Sequence, residues 1–227
     1  MKSAFVIFAR APVAGRVKTR LAETIGAVAA ARLYTAMLRD TLELAQHAAQ
    51  SAEDCRVILA FTPADAFEPG ENSLAPLWDV AQMPQRGADL GARMLNAMGD
   101  ARNLGAEKIV IIGSDSPDLP PRFLFDALHH LQCSDWVFGP ARDGGFYLIG
   151  ASLALPDFVF EGVAWSSNAV LKSVLKNARA LGLKSDALAP WRDVDDGDDL
   201  SALRERLDCG VSSAPATMQF LKEHLSK

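Results

Sequence analysis

Two stretches near opposite ends of the chain carry most of its chemical character. Between residues 10 and 20 the sequence reads Arg10-Ala-Pro-Val-Ala-Gly15-Arg16-Val-Lys18-Thr-Arg20, four cations in eleven residues with no acid. Guanidinium forks bind phosphate oxygens in pairs and a glycine lets backbone N–H groups approach an anion, so this composition suits a di- or triphosphate. A solvated basic loop is the plainer reading. Neither standard phosphate fingerprint is present: the chain has no Gly-Lys pair, and no two glycines stand two positions apart. The second stretch, Asp193-Val-Asp195-Asp196-Gly-Asp198-Asp199, holds five acids and no base. Some of these cap a helix beginning near Asp198, because carboxylates favour the positive end of a helix dipole. The excess offers Asp195 or Asp193 as a hard oxygen ligand for Mg²⁺ or Mn²⁺.

Two further segments punctuate apolar runs. Gly113-Ser114-Asp115-Ser-Pro117-Asp118-Leu-Pro120 places Asp115 in a Pro-stiffened turn after a strand-like run, where its carboxylate can join phosphate oxygens and water around a divalent ion. Asp118 reads as a turn cap before the next helix. Gly139-Pro-Ala-Arg142-Asp143-Gly144-Gly145-Phe146-Tyr147 has two readings. Asp-Gly supplies the positive φ of a tight hairpin, whereas Arg142 and the aromatic pair suit a substrate wall. Trp165 either joins that wall or packs in the core. His129 and Cys133 have the spacing of one helix face, but two ligands do not make a zinc site, and that segment reads as a buried helix. No Gly-x-Ser-x-Gly elbow or paired Ser–His or Cys–His arrangement is present, which removes the hydrolase and metalloprotease classes.

The elements that must position these residues follow from hydrophobic patterning. Short runs rich in Val, Ile and Phe alternate with segments of helical apolar spacing, the pattern of βα units on a largely parallel sheet. Strands are expected at Ala4–Ala9, Arg56–Phe61, Lys108–Gly113, Asp135–Gly139 and Phe146–Gly150, with a weaker one at Val80–Met83. Helices are expected over Val28–Ala49, Asp89–Asn103, Arg122–Leu131, Asn168–Leu181 (capped by Ser166 or Ser167), Asp198–Leu207 and Ala216–Leu225. In such sheets ligands bind beyond the carboxyl ends of the strands, which is where the four segments fall.

With 227 residues, 49% hydrophobic and 22% charged, the chain reads as one soluble domain over 1–227 with no linker. Its first apolar run is too short for a bilayer span or a signal-peptide core, so a cytoplasmic location is expected. Cys55, Cys133 and Cys209 are odd in number, carry no CxxC pair and read as small buried hydrophobes. The net charge of −5 argues against nucleic acid. It comes wholly from residues 193–199; with their five acids set aside, the chain carries 23 acids against 23 bases.

Five ordered motifs, Phe8 to Leu21, Gly87 to Met94, Gly113 to Leu119, Gly139 to Gly150 and Asp193 to Leu200, resemble a bacterial family of GT-A-superfamily proteins. These are a domain of unknown function grouped with arsenosugar-biosynthesis-type glycosyltransferases, and more distantly similar to phospholactate and molybdenum-cofactor guanylyltransferases. The resemblance implies a three-layer, Rossmann-like nucleotide-diphospho-sugar transferase fold with a divalent metal. It places phosphates on Arg16, Lys18 and Arg20 beside Arg10 and Gly15, and metal on Asp115 and Asp195. The base or ribose falls along Gln85, Gly87, Asp89 and Gly91, and the acceptor near Asp143, Gly144 and Gly145. Pro117 stands where a literal Asp-x-Asp motif would have its second acid. The function expected is metal-dependent sugar transfer from a nucleotide-diphospho-sugar to a small acceptor. Lys18 would stabilise the leaving nucleotide, Asp143 would orient or deprotonate the acceptor, and Phe146 and Trp165 would form walls. The alternatives are nucleotidyl transfer from an NTP with release of pyrophosphate, and a nucleotide-binding module without turnover.

Overall fold

In a computed structural model that describes residues 2–66, 80–152 and 157–225, the described residues form seven strands and seven α-helices. The strands are β1 (Ser3–Arg10), β2 (Cys55–Thr62), β3 (Ala81–Pro84), β4 (Lys108–Gly113), β5 (Trp136–Pro140), β6 (Phe146–Ala151) and β7 (Ser185–Ala187). They make one sheet in the order β3-β2-β1-β4-β6-β5-β7. All neighbours pair parallel except β6, which runs antiparallel to both β4 and β5. The expected α/β class with a mostly parallel sheet is present. β7 was not foreseen, because three residues reading Ser-Asp-Ala carry no hydrophobic pattern.

The helices are α1 (Thr19–Ile25), α2 (Ala27–Ser51), α3 (Leu90–Asn103), α4 (Arg122–His130), α5 (Val170–Ala180), α6 (Gly197–Asp208) and α7 (Pro215–His224). Alternation along β1 sends successive side chains to opposite faces of the sheet. Phe5, Ile7 and Ala9 pack with Leu38 and Leu42 of α2 and with Phe123 and Leu124 of α4. Ala4 and Val6 lie in the cluster that holds Met94 and Met98 of α3, Val159 of a 3₁₀ turn and Val174 of α5. The result is the expected three-layer arrangement. α5 begins two residues later than the pattern suggested, without a side-chain cap; Ser166 sits at φ +66°, and Ser167 Oγ accepts from Ala169 N at 3.3 Å.

A third apolar cluster lies outside the layers and matters most for the site. It joins Leu21 of α1, Leu33 and Met37 of α2, Val194, Leu203 of α6 and Phe220 of α7. Leu21 follows the basic stretch, and Val194 lies inside the acidic one; both are completely buried. Two highly charged segments far apart in sequence are thus brought together by apolar residues threaded between their charges. Gly197 is required at this junction, since a Cβ there would come within 2.8 Å of Thr24 Oγ1 on α1.

α7 lacks a side-chain cap of its own, and Asp40 on α2 supplies one, accepting from the backbone N–H of Ala216 at 2.9 Å and of Thr217 at 2.8 Å. Burial raises the pKa of this carboxyl despite those bonds. Asp40→Ala leaves both donors unsatisfied and is expected to cost about 2 kcal/mol, read as a lower urea midpoint at unchanged m-value.

The cysteines correct the sequence reading. Cys133 and Cys209 are exposed, and only Cys55 is partly buried. Cys133 lies beyond the end of α4 and His129 is exposed, so these two residues sit on the surface of a helix whose Phe123, Leu124 and Ala127 are buried as expected. Burial pushes the Cys55 thiol up to about 11. Iodoacetamide at pH 8 is expected to alkylate Cys133 and Cys209 in the native protein and Cys55 only on unfolding, as read by intact mass.

Candidate functional site

A cavity of about 860 Å³ opens at the carboxyl ends of β1 and β4 and the amino end of β6. From β1 the chain goes outward to β2 and β3, then returns to β4 on the other side of β1, so the cavity lies where strand order reverses. Arg10, Arg16, Lys18, Arg20, Gln85, Asp89, Asp115, Phe146, Trp165 and Asp195 all line it.

At its floor the two charged stretches meet directly. Lys18 Nζ lies 2.5 Å from Asp115 Oδ1 and 2.9 Å from Asp195 Oδ1. The Lys18 side chain is only 5% exposed, against 47% for Asp115 and 39% for Asp195. Burial disfavours the ammonium, but the two carboxylates outweigh it and hold the lysine pKa above its ordinary value. Lys18 has a left-handed backbone, φ 47° and ψ 46°, where it caps α1. This conformation costs a non-glycine residue about 1–3 kcal/mol and persists only where its surroundings enforce it. A backbone bond from Val194 N to Asp115 O at 2.9 Å pins the acidic stretch to the β4 loop. Asp193 sits nearby with its pKa raised to about 6, by burial first and then by Asp195, with Asp143 and Asp115 adding repulsion.

The cations are divided by this geometry. Lys18 is committed to Asp115 and Asp195, and Arg20 pairs with Asp196. Arg10 and Arg16 line the cavity with no ion-pair partner among the described residues. The acids divide likewise. Asp196 is the N-cap of α6 and forms a capping box with Asp199, while Asp195 turns to the cavity.

Other sequence candidates take structural parts. Gln85 donates its side-chain amide to the carbonyls of Ala9 and Ala60, at 3.1 and 2.9 Å, tying the ends of β1 and β2. Asp89 caps α3 by accepting from Ala92 N at 2.8 Å. Gly15, Gly87 and Gly91 do not line the cavity. Gly91 instead gives room to the aromatic wall, since a Cβ would come within 2.8 Å of Trp165 and 2.7 Å of Phe160. Trp165 is therefore both wall and core: it lines the cavity and packs against Phe160 at 5.7 Å between ring centroids. Asp143, Gly144 and Gly145 form the β5–β6 hairpin turn and are not among the cavity-lining residues. Asp143 Oδ1 accepts from Gly145 N at 2.8 Å, and a Cβ on Gly144 (φ +91°) would collide with the Asn168 carbonyl.

Sequence reasoning missed Tyr34 of α2. Its hydroxyl accepts from Arg10 N at 2.9 Å and bonds Ser114 Oγ at 2.8 Å, joining the ends of β1 and β4 under the site. Burial and the charge of Asp115 raise its pKa. Arg93 of α3 also lines the cavity; its helix reads as amphipathic, so nothing marked it beyond its charge.

The sequence profile of the family described as "Uncharacterized protein conserved in bacteria (DUF2064)" matches residues 42–167, more than half of the chain. The chain belongs to this family. A solved structure from Desulfovibrio desulfuricans G20, a candidate nucleotide-diphospho-sugar transferase, is 32% identical to this DUF2064 member. It superposes with a TM-score of 0.83, covering 98% of this chain and 95% of its own. Two more distant structures share the fold. A nucleotidyl transferase from Methanothermobacter thermautotroptrophicus (16% identity, TM-score 0.59) covers 92% of this chain and 99% of its own. A CMP:2-keto-3-deoxy-manno-octonic acid synthetase complexed with CTP (15% identity, TM-score 0.55) covers 92% and 100%. No curated protein matches the DUF2064 chain. Among its described residues no helix is long and apolar enough to cross a membrane.

Proposed function

We propose that this protein is a transferase acting on a nucleotide-activated substrate, and specifically that it moves a sugar from a nucleotide-diphospho-sugar to a small acceptor with the help of Mg²⁺ or Mn²⁺. One observation carries the reading. Two guanidiniums without an ion-pair partner among the described residues, Arg10 and Arg16, face the same cavity as two carboxylates, Asp115 and Asp195, that already converge on a cation. The name of the 32%-identical relative supports the substrate class.

The donor set fits a hard divalent ion. Asp115 and Asp195 offer oxygen ligands around a point where a positive charge already sits. Among the described residues no group of three or more His, Cys, Asp or Glu side chains converges, so phosphate oxygens and water would complete the shell. Such an ion would neutralise charge that develops on the departing diphosphate. Arg10 and Arg16 would hold the diphosphate oxygens, and Trp165 and Phe146 would bound the sugar or base. Asp143 lies in the β5–β6 turn outside the cavity lining, with Oδ1 accepting from Gly145 N, and would orient the hydroxyl of an acceptor that extends beyond the cavity. Catalysis in this arrangement is positional and electrostatic.

The test is to supply nucleotide-diphospho-sugars and NTPs with Mn²⁺, follow thermal stabilisation, and identify the product. Stabilisation by a nucleotide-sugar and release of free nucleoside diphosphate support sugar transfer. Pyrophosphate from an NTP would replace it with nucleotidyl transfer. Stabilisation with no product from either donor would leave a binding module.

A further inference from the structure

We propose that Lys18 is a latch that makes metal binding and phosphate binding depend on each other. In the structure its ammonium lies between Asp115 and Asp195, so a divalent ion held by both carboxylates would have to displace it, and lysine and metal would be alternative occupants of one carboxylate pair. The inference rests on the metal reading given above and adds an order to it.

The Lys18 side chain is 5% exposed and cannot simply withdraw into water from both carboxylates. A buried charge stripped of its partners is strongly disfavoured, so the ammonium leaves only when another anion is within reach. The other carboxylate lining the cavity, Asp89, is engaged as the cap of α3 and does not draw Lys18 away. A phosphate seated on Arg10 and Arg16 in the same cavity is the anion that can. With Lys18 on the phosphate, Asp115 and Asp195 would be free to hold a divalent ion, and neither the ammonium nor the carboxylate pair would be left without a counter-charge. Before the ligand arrives, the ammonium holds Asp115 and Asp195 against their mutual repulsion in the geometry the ion needs. The left-handed backbone at Lys18 is consistent with this role, because α1 is rigidly docked through Leu21 and the side chain must reach inward from a fixed N-terminus.

Two consequences are measurable without turnover. Metal alone binds the wild type weakly, because it competes with an intramolecular ammonium. Removing that ammonium frees the pair. The experiment titrates Mn²⁺ alone, with no nucleotide, into wild type, Lys18→Met, Lys18→Gln and Arg16→Met, reading free Mn²⁺ by electron paramagnetic resonance. Both Lys18 variants are expected to bind Mn²⁺ at least about tenfold more tightly than wild type, within the range of ordinary coupling between sites. Arg16→Met removes an equal charge from the same cavity without vacating the carboxylates and is expected to stay within about threefold. The neutral Lys18→Gln keeps a hydrogen-bonding amide at the position and guards against a packing failure specific to Met. Lys18 variants that bind Mn²⁺ no better than wild type, or a gain matched by Arg16→Met, overturn the latch while leaving the metal site in place. If no variant binds Mn²⁺, alone or with CTP, GTP or UDP-glucose present, the metal reading itself falls and the latch with it.

Discussion

Replacing Asp115 by Ala is expected to weaken Mn²⁺-dependent nucleotide or nucleotide-sugar binding by at least about 100-fold, or about 2.8 kcal/mol, and to abolish turnover. Among the described residues the side chain is one of two carboxylates that grip Lys18 Nζ, and it makes the shorter contact, at 2.5 Å. With it gone, an ion in the cavity keeps one protein ligand, Asp195, and the lysine has a single counter-charge. Loss of binding here is separable from loss of fold. The connection of this loop to the acidic stretch is a backbone bond, Val194 N to Asp115 O, which Ala retains. Tyr34 still bridges Arg10 N and Ser114 Oγ beneath it. The measurement is calorimetric titration with and without Mn²⁺, beside a melting curve. Chelating the metal from the wild type is expected to reproduce the variant's affinity. A folded Asp115→Ala protein that binds with wild-type affinity in Mn²⁺ removes the metal role assigned to this residue.

The two charged stretches were legible in the sequence, but how their charges divide was not. A run such as Ile109-Val-Ile-Ile112 declares a strand covered on both faces, and the basic stretch after β1 and the acidic stretch at 193–199 read as opposite sides of one site. What no local pattern reveals is pairing at a separation of 177 residues, as between Lys18 and Asp195. The cation density of the first loop suggested four phosphate ligands, whereas the fold spends Lys18 and Arg20 on acids and leaves Arg10 and Arg16 facing the cavity alone. Tyr34 was hidden for a related reason. An aromatic residue on a buried helical stripe looks like core, and here it is core whose one polar atom reaches two strand ends. The family resemblance places Gly91 by the base or ribose and Gly144 and Gly145 by the acceptor, with a plain hairpin turn as the other reading of the last two. In this fold the close approach is made by Trp165, Phe160 and the Asn168 backbone, and by the hairpin's own geometry. α1 escaped notice because its N-terminus carries no capping side chain, only the left-handed Lys18.

Asp118 is where the local reading went furthest astray, and it supports the largest stability prediction. Its sequence position before Pro120 suggested a turn cap, but the side chain is fully buried in a network of partners distant in sequence. Oδ2 accepts from Arg206 Nε and from Ser212 Oγ, each at 2.8 Å, and Trp191 Nε1 lies 3.4 Å from Oδ1. Arg206 already has one terminal nitrogen buried without a partner. Asp118→Ala would leave that guanidinium with no counter-charge, and breaking a buried pair from one side costs about 3–5 kcal/mol. For a protein of this size that corresponds to a fall in Tm of about 6–20 °C. Asp118→Asn preserves the shape but not the charge and is expected to fall in between. Replacing both partners, Asp118→Leu with Arg206→Met, removes the uncompensated charge and is expected to recover much of the loss, because the buried pair adds little net stability over well-packed apolar residues. The network fastens α6 and the segment before α7 to the β4 loop, the framework that holds Val194 and hence Asp195 in place. Folded Asp118→Ala protein should nonetheless gain the same increment in Tm from ligand and Mn²⁺ as the wild type, because none of the network's side chains lines the cavity. An unchanged Tm in Asp118→Ala would show that the pair contributes nothing; a lost ligand increment would show that it positions the site as well as the fold.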